Sequence, residues 1–254
     1  MSLMMKLVVL SSPEIKKHLA TELAQIQKKI EIAEKSDSAS CWLEMREEKL
    51  TLVHPLGELS LDFLKDARYQ RRGHRGKNEL IAKALGSQRG VKSIFDGTLG
   101  LAEDAIFLTQ LGFQVTGCER SPWIYLLLKD AERRARAENP EFSLQIQFGS
   151  AQEIFAVMQR ASPDERPAVI FIDPMFPEKK KTALPRKEMQ IFRDVVGEDE
   201  DASMLFEYAL KATREGVVVK RPLKAPALQP TSTKVNVAHS FEGKTVRYDL
   251  YSVK

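Results

Sequence analysis

The sequence predicts an α/β fold, a mostly parallel doubly wound sheet preceded by a small N-terminal α+β appendage. Two observations predict the sheet. From Val91 onward short apolar runs alternate with helical segments: SIFD (93–96), QVTGCE (114–119), LQIQF (144–148), AVIFID (168–173) and GVVVK (216–220). These runs are almost continuously apolar, as strands buried on both faces are. A third observation closes the sheet: VNVAHSF and VRYDLYSV, near the end of the chain, read as an antiparallel hairpin. The length, 254 residues, suits one large domain or one domain with an addition.

The elements follow in order. The N-terminal MSLMMKLVVLSSPE has a short apolar stretch without a small-residue cleavage site. No run approaches the ~18 residues of a membrane span, so a cytoplasmic protein is expected. Ser12-Pro13-Glu14 reads as a helix start, with a capping hydroxyl, proline in the first turn and an acid. Ile15, Leu19, Leu23, Ile26 and Ile30 recur at helical spacing, which predicts a helix ending at the polar stretch Lys35–Ser40. Residues 41–63 alternate around Pro55 and Gly57 and read as strands joined by turns. Residues 1–65 are therefore expected to form the N-terminal region and 66–254 the main domain. The stretch 67–86 opens dense in arginine and glycine, then turns helical from Asn78 to Gly86. Further helices are expected at Ala102–Leu111, Pro122–Glu138, Ala151–Ala161 and Ser203–Arg214.

Composition narrows the chemistry. The chain is 43% hydrophobic and 29% charged with a net charge of +4, which permits a polyanionic partner without demanding one. Cys41 and Cys118 make neither a disulfide framework nor a zinc spacing, and the four histidines are scattered, so no metal is expected.

Ligands of open α/β sheets bind beyond the carboxyl ends of the strands. After the first strand of the main domain comes FDGTLGLAED, in which Gly97 and Gly100 allow a tight turn and close approach to a ligand. After the second comes Glu119, where an acid accepts hydrogen bonds from ribose hydroxyls. The loop lacks the G-x-G-x-x-G spacing of a pyrophosphate site. Its acids, Asp96, Glu103 and Asp104, would repel a pyrophosphate but suit the ammonium and sulfonium of S-adenosyl-L-methionine. That favours a methyltransferase over a dehydrogenase; the competing reading makes the two glycines a plain strand-to-helix turn.

The segment VIFIDPMFPEKKK, 169–181, ends a buried strand in an acid, Asp173. Pro174 fixes the turn. Asp173 and nearby carbonyls can accept hydrogen bonds from an exocyclic amine, and Phe176 offers a face for stacking a base. Orientation matters most here, because the amine of guanine or adenine is a weak nucleophile. Lys179, Lys180 and Lys181, with Arg186 and Lys187, are candidate phosphate contacts. Two further basic groups join them: Arg71, Arg72 and Arg75 within Arg68–Lys77, and Lys220, Arg221 and Lys224. A solvated face is the bland alternative for such charge.

Together DPMFPEKKKTALPRKEMQIFRDVVG, VVVKRP and YQRRGHRGKNELIAKALG resemble the RsmJ family, from about Leu59 to Tyr251. The resemblance implies a class I, Rossmann-like methyltransferase that uses S-adenosyl-L-methionine to modify the exocyclic N2 of a guanine in 16S ribosomal RNA. It implies cofactor contacts at Glu103 and Asp104, Glu119 and Arg120, Ser150 and Ala151, and Asp173. The chain departs from the family at Ala102 and Glu103, where glycine and arginine are usual, at Leu99, where a small residue is usual, and at Ala151, where serine is. Two alternatives remain at this stage: a methyltransferase of DNA, protein or a small molecule, and an RNA-binding protein that has lost the cofactor.

Overall fold

The computed structural model describes residues 7–10, 12–26, 30–33, 41–70, 79–175, 186–197 and 201–253. In chain order the elements are β1 (Leu7–Leu10), α1 (Pro13–Ile26), β2 (Ile30–Ala33), β3 (Trp42–Arg46), β4 (Lys49–His54), β5 (Gly57–Leu59), α2 (Ala67–Gln70) and α3 (Leu80–Ala84). Then come β6 (Ser93–Asp96), α4 (Glu103–Gln110), β7 (Gln114–Glu119), α5 (Pro122–Glu138), β8 (Gln145–Phe148), α6 (Ala151–Met158) and β9 (Val169–Ile172). The last are α7 (Lys187–Val196), α8 (Ala202–Ala212), β10 (Gly216–Pro222), β11 (His239–Glu242) and β12 (Val246–Ser252). Among the described residues no helix is long and apolar enough to cross a membrane. The chain divides into two compact units.

The first unit comprises Met1–Asp66, Arg120–Phe142 and Pro177–Glu198. One join falls beside the expected boundary at 65, but two later segments belong with the N-terminal residues. The reason is packing: α5 lies against β4 and α1, and α7 against β5. Its sheet has the order β2-β1-β3-β4-β5, with β1 and β2 parallel across the α1 crossover and β3 to β5 an antiparallel meander. The Ile15 N–H donates to Ser12 Oγ at 3.2 Å, so the expected cap is present. Ile15, Leu19, Leu23 and Ile26 are buried along α1. Ile30 is not part of that helix: it lies in β2, paired with Leu7. Its spacing from Ile26 matches a helical repeat only by coincidence, and main-chain pairing with β1 prevails. The expected stop at Lys35–Ser40 lies outside the described residues. Asp130 of α5, 1% exposed, accepts the Leu50 N–H at 3.0 Å and pairs with Arg133 and Arg134. Phe63 stacks on Phe142 with ring centroids 5.7 Å apart.

The second unit comprises Ala67–Glu119, Ser143–Phe176 and Asp199–Lys254. Its sheet has the order β11-β12-β10-β9-β6-β7-β8. Strands β6 to β10 are parallel, and β12 and β11 complete the sheet antiparallel, as the closing hairpin predicts. The order reverses between β6 and β9, and this switch point is where open α/β sheets bind ligands. On one face Phe95, Ile170, Ile172, Val217 and Val219 pack against Phe155 of α6 and Leu205, Phe206 and Ala209 of α8. The β12 residue Tyr251 joins that core and donates its hydroxyl to the Leu228 carbonyl at 2.9 Å. This is the Rossmann-like, class I arrangement that the sequence predicts.

Candidate functional site at the carboxyl edge of the sheet

Register decides which residues meet. Ile172 of β9 stands opposite Val219 of β10, so Asp173 and Lys220, each the next residue, come side by side. Asp96 of β6 stands opposite Phe171, which brings Thr98 level with Asp173. The Asp173 N–H donates to Thr98 Oγ1 at 2.6 Å, and the Thr98 N–H donates to Asp96 Oδ1 at 2.9 Å. Lys220 Nζ lies 2.8 Å from Asp173 Oδ2 and 2.7 Å from Asp104 Oδ2, the latter in the first turn of α4. One ammonium thus bridges two carboxylates from different parts of the chain. Burial opposes the charge on Lys220, but the Asp173 and Asp104 carboxylates outweigh it and hold the ammonium well above its usual range.

Asp96 is the buried member of the group, 2% exposed. Burial pushes its carboxyl up to about 7; the Thr98 N–H and the charge of Lys220 oppose that push, and Asp104 and Asp173 reinforce it.

The loop between β6 and α4 is shaped by two different glycine requirements. Gly97 serves packing rather than ligand approach, which corrects part of the sequence reading. A Cβ there would fall 2.7 Å from Phe155 Cζ and 3.2 Å from Ile172 Cγ2. Gly100 has the left-handed φ of 52° that favours glycine, and its N–H donates to Glu119 Oε2 at 3.1 Å. Glu119, 5% exposed at the tip of β7, is therefore held against the loop. Ala102 also has a left-handed φ, 62°, at the position that precedes α4. Tyr69 braces this loop by donating its hydroxyl to the Leu101 carbonyl at 2.8 Å.

The other predicted residues sort themselves by position. Glu103 is half-buried as the first residue of α4. Ser150 precedes α6 and donates its hydroxyl to Gln152 Oε1 at 2.7 Å, while Gln152 in turn donates to Asp201. The Gly149 N–H donates to the Glu119 carbonyl at 3.0 Å, tying the ends of β7 and β8 together. Ala151 turns its methyl into the core beside Phe155, so only its main chain can serve a ligand. Arg120 opens a segment of the first unit. Pro174 is buried behind Asp173. Phe176, Arg71, Arg72, Arg75, Lys179, Lys180 and Lys181 lie outside the described residues.

Lys220 and Arg221 correct the expectation of exposed phosphate contacts. Lys220 is engaged by two carboxylates, and Arg221, 2% exposed, donates its guanidinium to the Pro226 carbonyl at 2.7 and 3.1 Å. The sequence shows Lys220, like Asp173, following an apolar run, but only the pairing of β10 with β9 makes the two neighbours. Thr98 and Tyr69 carried no such signal.

The donor set fits a cofactor bearing cationic groups and a ribose. Every charged side chain of the loop from Asp96 to Asp104 is acidic, and Asp96 is a buried carboxyl with neighbours that raise its proton affinity. A pyrophosphate would meet repulsion there.

The likenesses to known proteins agree with this geometry. Residues 25–253 match the family described as "Putative SAM-dependent methyltransferase". The ribosomal RNA small subunit methyltransferase J of Bdellovibrio bacteriovorus is 48% identical over 196 residues, 77% of this chain and 74% of that protein. The protein of the same name from Chromohalobacter salexigens is 41% identical over 230 residues, 86% of this chain and 88% of its own. In structure, a SAM-dependent methyltransferase from Neisseria gonorrhoeae superposes with a TM-score of 0.72 at 25% identity, covering 98% of this chain and 96% of that one. A matched profile over most of the length, relatives at this identity and a doubly wound sheet with an acidic carboxyl edge have one common explanation: the chain belongs to the ribosomal RNA small subunit methyltransferase J family of SAM-dependent methyltransferases.

Proposed function

We propose that this protein transfers a methyl group from S-adenosyl-L-methionine to the exocyclic N2 of a guanine in 16S ribosomal RNA, in the cytoplasm. The observation that carries the reading is the acidic switch point: buried Asp96, Asp104 and the partly exposed Asp173 converge where a parallel sheet opens. S-adenosyl-L-methionine, when bound, would supply an electrophilic methyl that the N2 lone pair could take up, the C–S electron pair remaining on sulfur as a thioether. Asp96 and Asp104 would hold the cofactor's ammonium, and Glu119 would accept from its ribose hydroxyls. Gly100, Glu103, Arg120, Ser150 and the main chain of Ala151 complete that side. Asp173 accepts a hydrogen bond from the guanine amine and turns its lone pair toward the methyl. The proton released after transfer passes to Asp173 or to water. Pro174 keeps this turn in one conformation, and Phe176 stacks on the base. Arg71, Arg72, Arg75 and Lys179 to Lys181 contact phosphates and position the RNA without reading its sequence. The partner is the small ribosomal subunit or its RNA alone.

The test is transfer of labelled methyl to small subunits that lack this modification, followed by nucleoside analysis. N2-methylguanosine at one site is expected. Label in another nucleoside, or none with the cofactor bound, would overturn the proposal.

A further inference from the structure

We infer that Lys220 is a positioning residue for methyl transfer: it bridges Asp104 and Asp173 and so fixes the acceptor-side carboxylate relative to the cofactor side. The inference rests on the function proposed above and adds a role for a side chain that touches neither reactant.

The geometry supports more than charge balance. The three side chains form a graded row: Asp104 is 10% exposed, Lys220 18% and Asp173 38%. The row runs from the buried start of α4 to the side open to an incoming base. Both contacts are short, 2.7 and 2.8 Å, and one flexible stem carries them both. A lysine needed only to neutralise Asp104 could have formed a single pair. The second contact seizes the side chain of Asp173, whose main chain is already tied to Thr98. Asp173 is thereby held at two points, and its turn cannot rotate the carboxylate away from the acceptor. The charged groups around it are Lys220 from β10, Asp96 from the end of β6, Asp104 from α4 and, at longer range, Arg221; Tyr248 of β12 faces Lys220. Of these, Lys220 is the cation in direct contact with Asp173. Without it, Asp173 loses this contact while Asp96 and Asp104 stay close, so it takes up a proton more readily and its carboxylate loses one of its two anchors.

The experiment uses the full chain, small subunits lacking the modification, and three variants: Lys220→Gln, Lys220→Met and Lys220→Arg. Glutamine keeps a donor without the charge, methionine keeps the packing alone, and arginine keeps the charge. For Lys220→Gln and Lys220→Met the expected result is a fall in kcat of about a hundredfold, with KM for the RNA changed far less. The acid limb of the kcat–pH profile should move to higher pH in both, because Asp173 then protonates earlier. Lys220→Arg should restore the wild-type position of that limb and part of the rate. A purely structural role predicts something else: activity lost in proportion to the folded fraction, with kcat per folded molecule and its pH profile unchanged. That result in Lys220→Gln would overturn the inference. If Lys220→Met does not fold, Lys220→Gln and Lys220→Arg decide it by the position of the limb. An active wild type with an unaltered Lys220→Gln refutes this inference alone. A wild type that methylates no guanine refutes the proposed function, and this inference with it.

Discussion

On the function proposed above, Asp96 couples cofactor binding to the release of a proton. Its carboxyl is pushed up to about 7, against 3.8 for an ordinary aspartate, chiefly by burial. The folded protein holds a proton that the unfolded chain has released, so stability falls as pH rises from about 4 to about 7 and is level beyond. The three-unit shift corresponds to about 4 kcal/mol above that window. A cofactor ammonium about 4 Å away, at an effective dielectric near 20, would return a similar amount. Binding should therefore select the ionised carboxylate. The apparent affinity is weakened by the protonated fraction, roughly elevenfold at pH 6 and hardly at all at pH 8. The cofactor's own ammonium titrates near 8, so the useful quantity is the ratio to an Asp96→Asn variant, in which that titration is common. Calorimetric titration with S-adenosyl-L-methionine, in buffers of different ionisation heat, measures both affinity and proton release. The wild-type to Asp96→Asn affinity ratio should rise about tenfold from pH 6 to pH 8, with about half a proton more released by the wild type at pH 7. A ratio constant across this range, with equal proton release, would refute the reasoning.

Three other outcomes can be measured. Ala102→Gly should stabilise the protein by about 1 kcal/mol, read as a higher melting temperature, because φ 62° strains an alanine and suits a glycine. Gly97→Ala should destabilise it by about 1–3 kcal/mol in denaturant titration, since the new methyl would collide with Phe155 and Ile172. Asp173→Ala should lower kcat for methyl transfer by at least about a hundredfold while leaving cofactor affinity within a fewfold, measured by single-turnover labelling; wild-type turnover would remove Asp173 from the mechanism.

The second unit was largely legible because its strands are apolar throughout and end on chemically distinct residues. Asp96, Glu119 and Asp173 announce themselves by following such runs, and the parallel sheet places them on one edge. Lys220 was misread as a phosphate contact because its partners are 116 and 47 residues away in the chain, and only strand order makes them neighbours. Gly97 was credited to a ligand because the sequence does not show that Phe155 occupies the space its Cβ would need. In the first unit, β1 was read only as a short apolar stretch without a secondary-structure assignment, and β2 as the end of α1. Short edge strands have too few residues to display a period of their own. That α5 belongs with β4 rests on the buried Asp130–Leu50 contact, a pairing that local patterning cannot reveal.

The three-segment make-up of the first unit sets a timetable for synthesis. Leu50 leaves the ribosome 80 residues before Asp130, the acceptor of its main-chain N–H. At about 5–20 residues per second, that is roughly 4–16 seconds during which β3, β4 and β5 exist without α5. Leu43, Leu50 and Leu52, buried in the finished protein, have no helix from that segment to cover them in the interval. The nascent N-terminal sheet thus exposes apolar surface of the kind that aggregates before folding is complete, and a fragment stopped at Asp66 should collect in inclusion bodies however well its own strands are written.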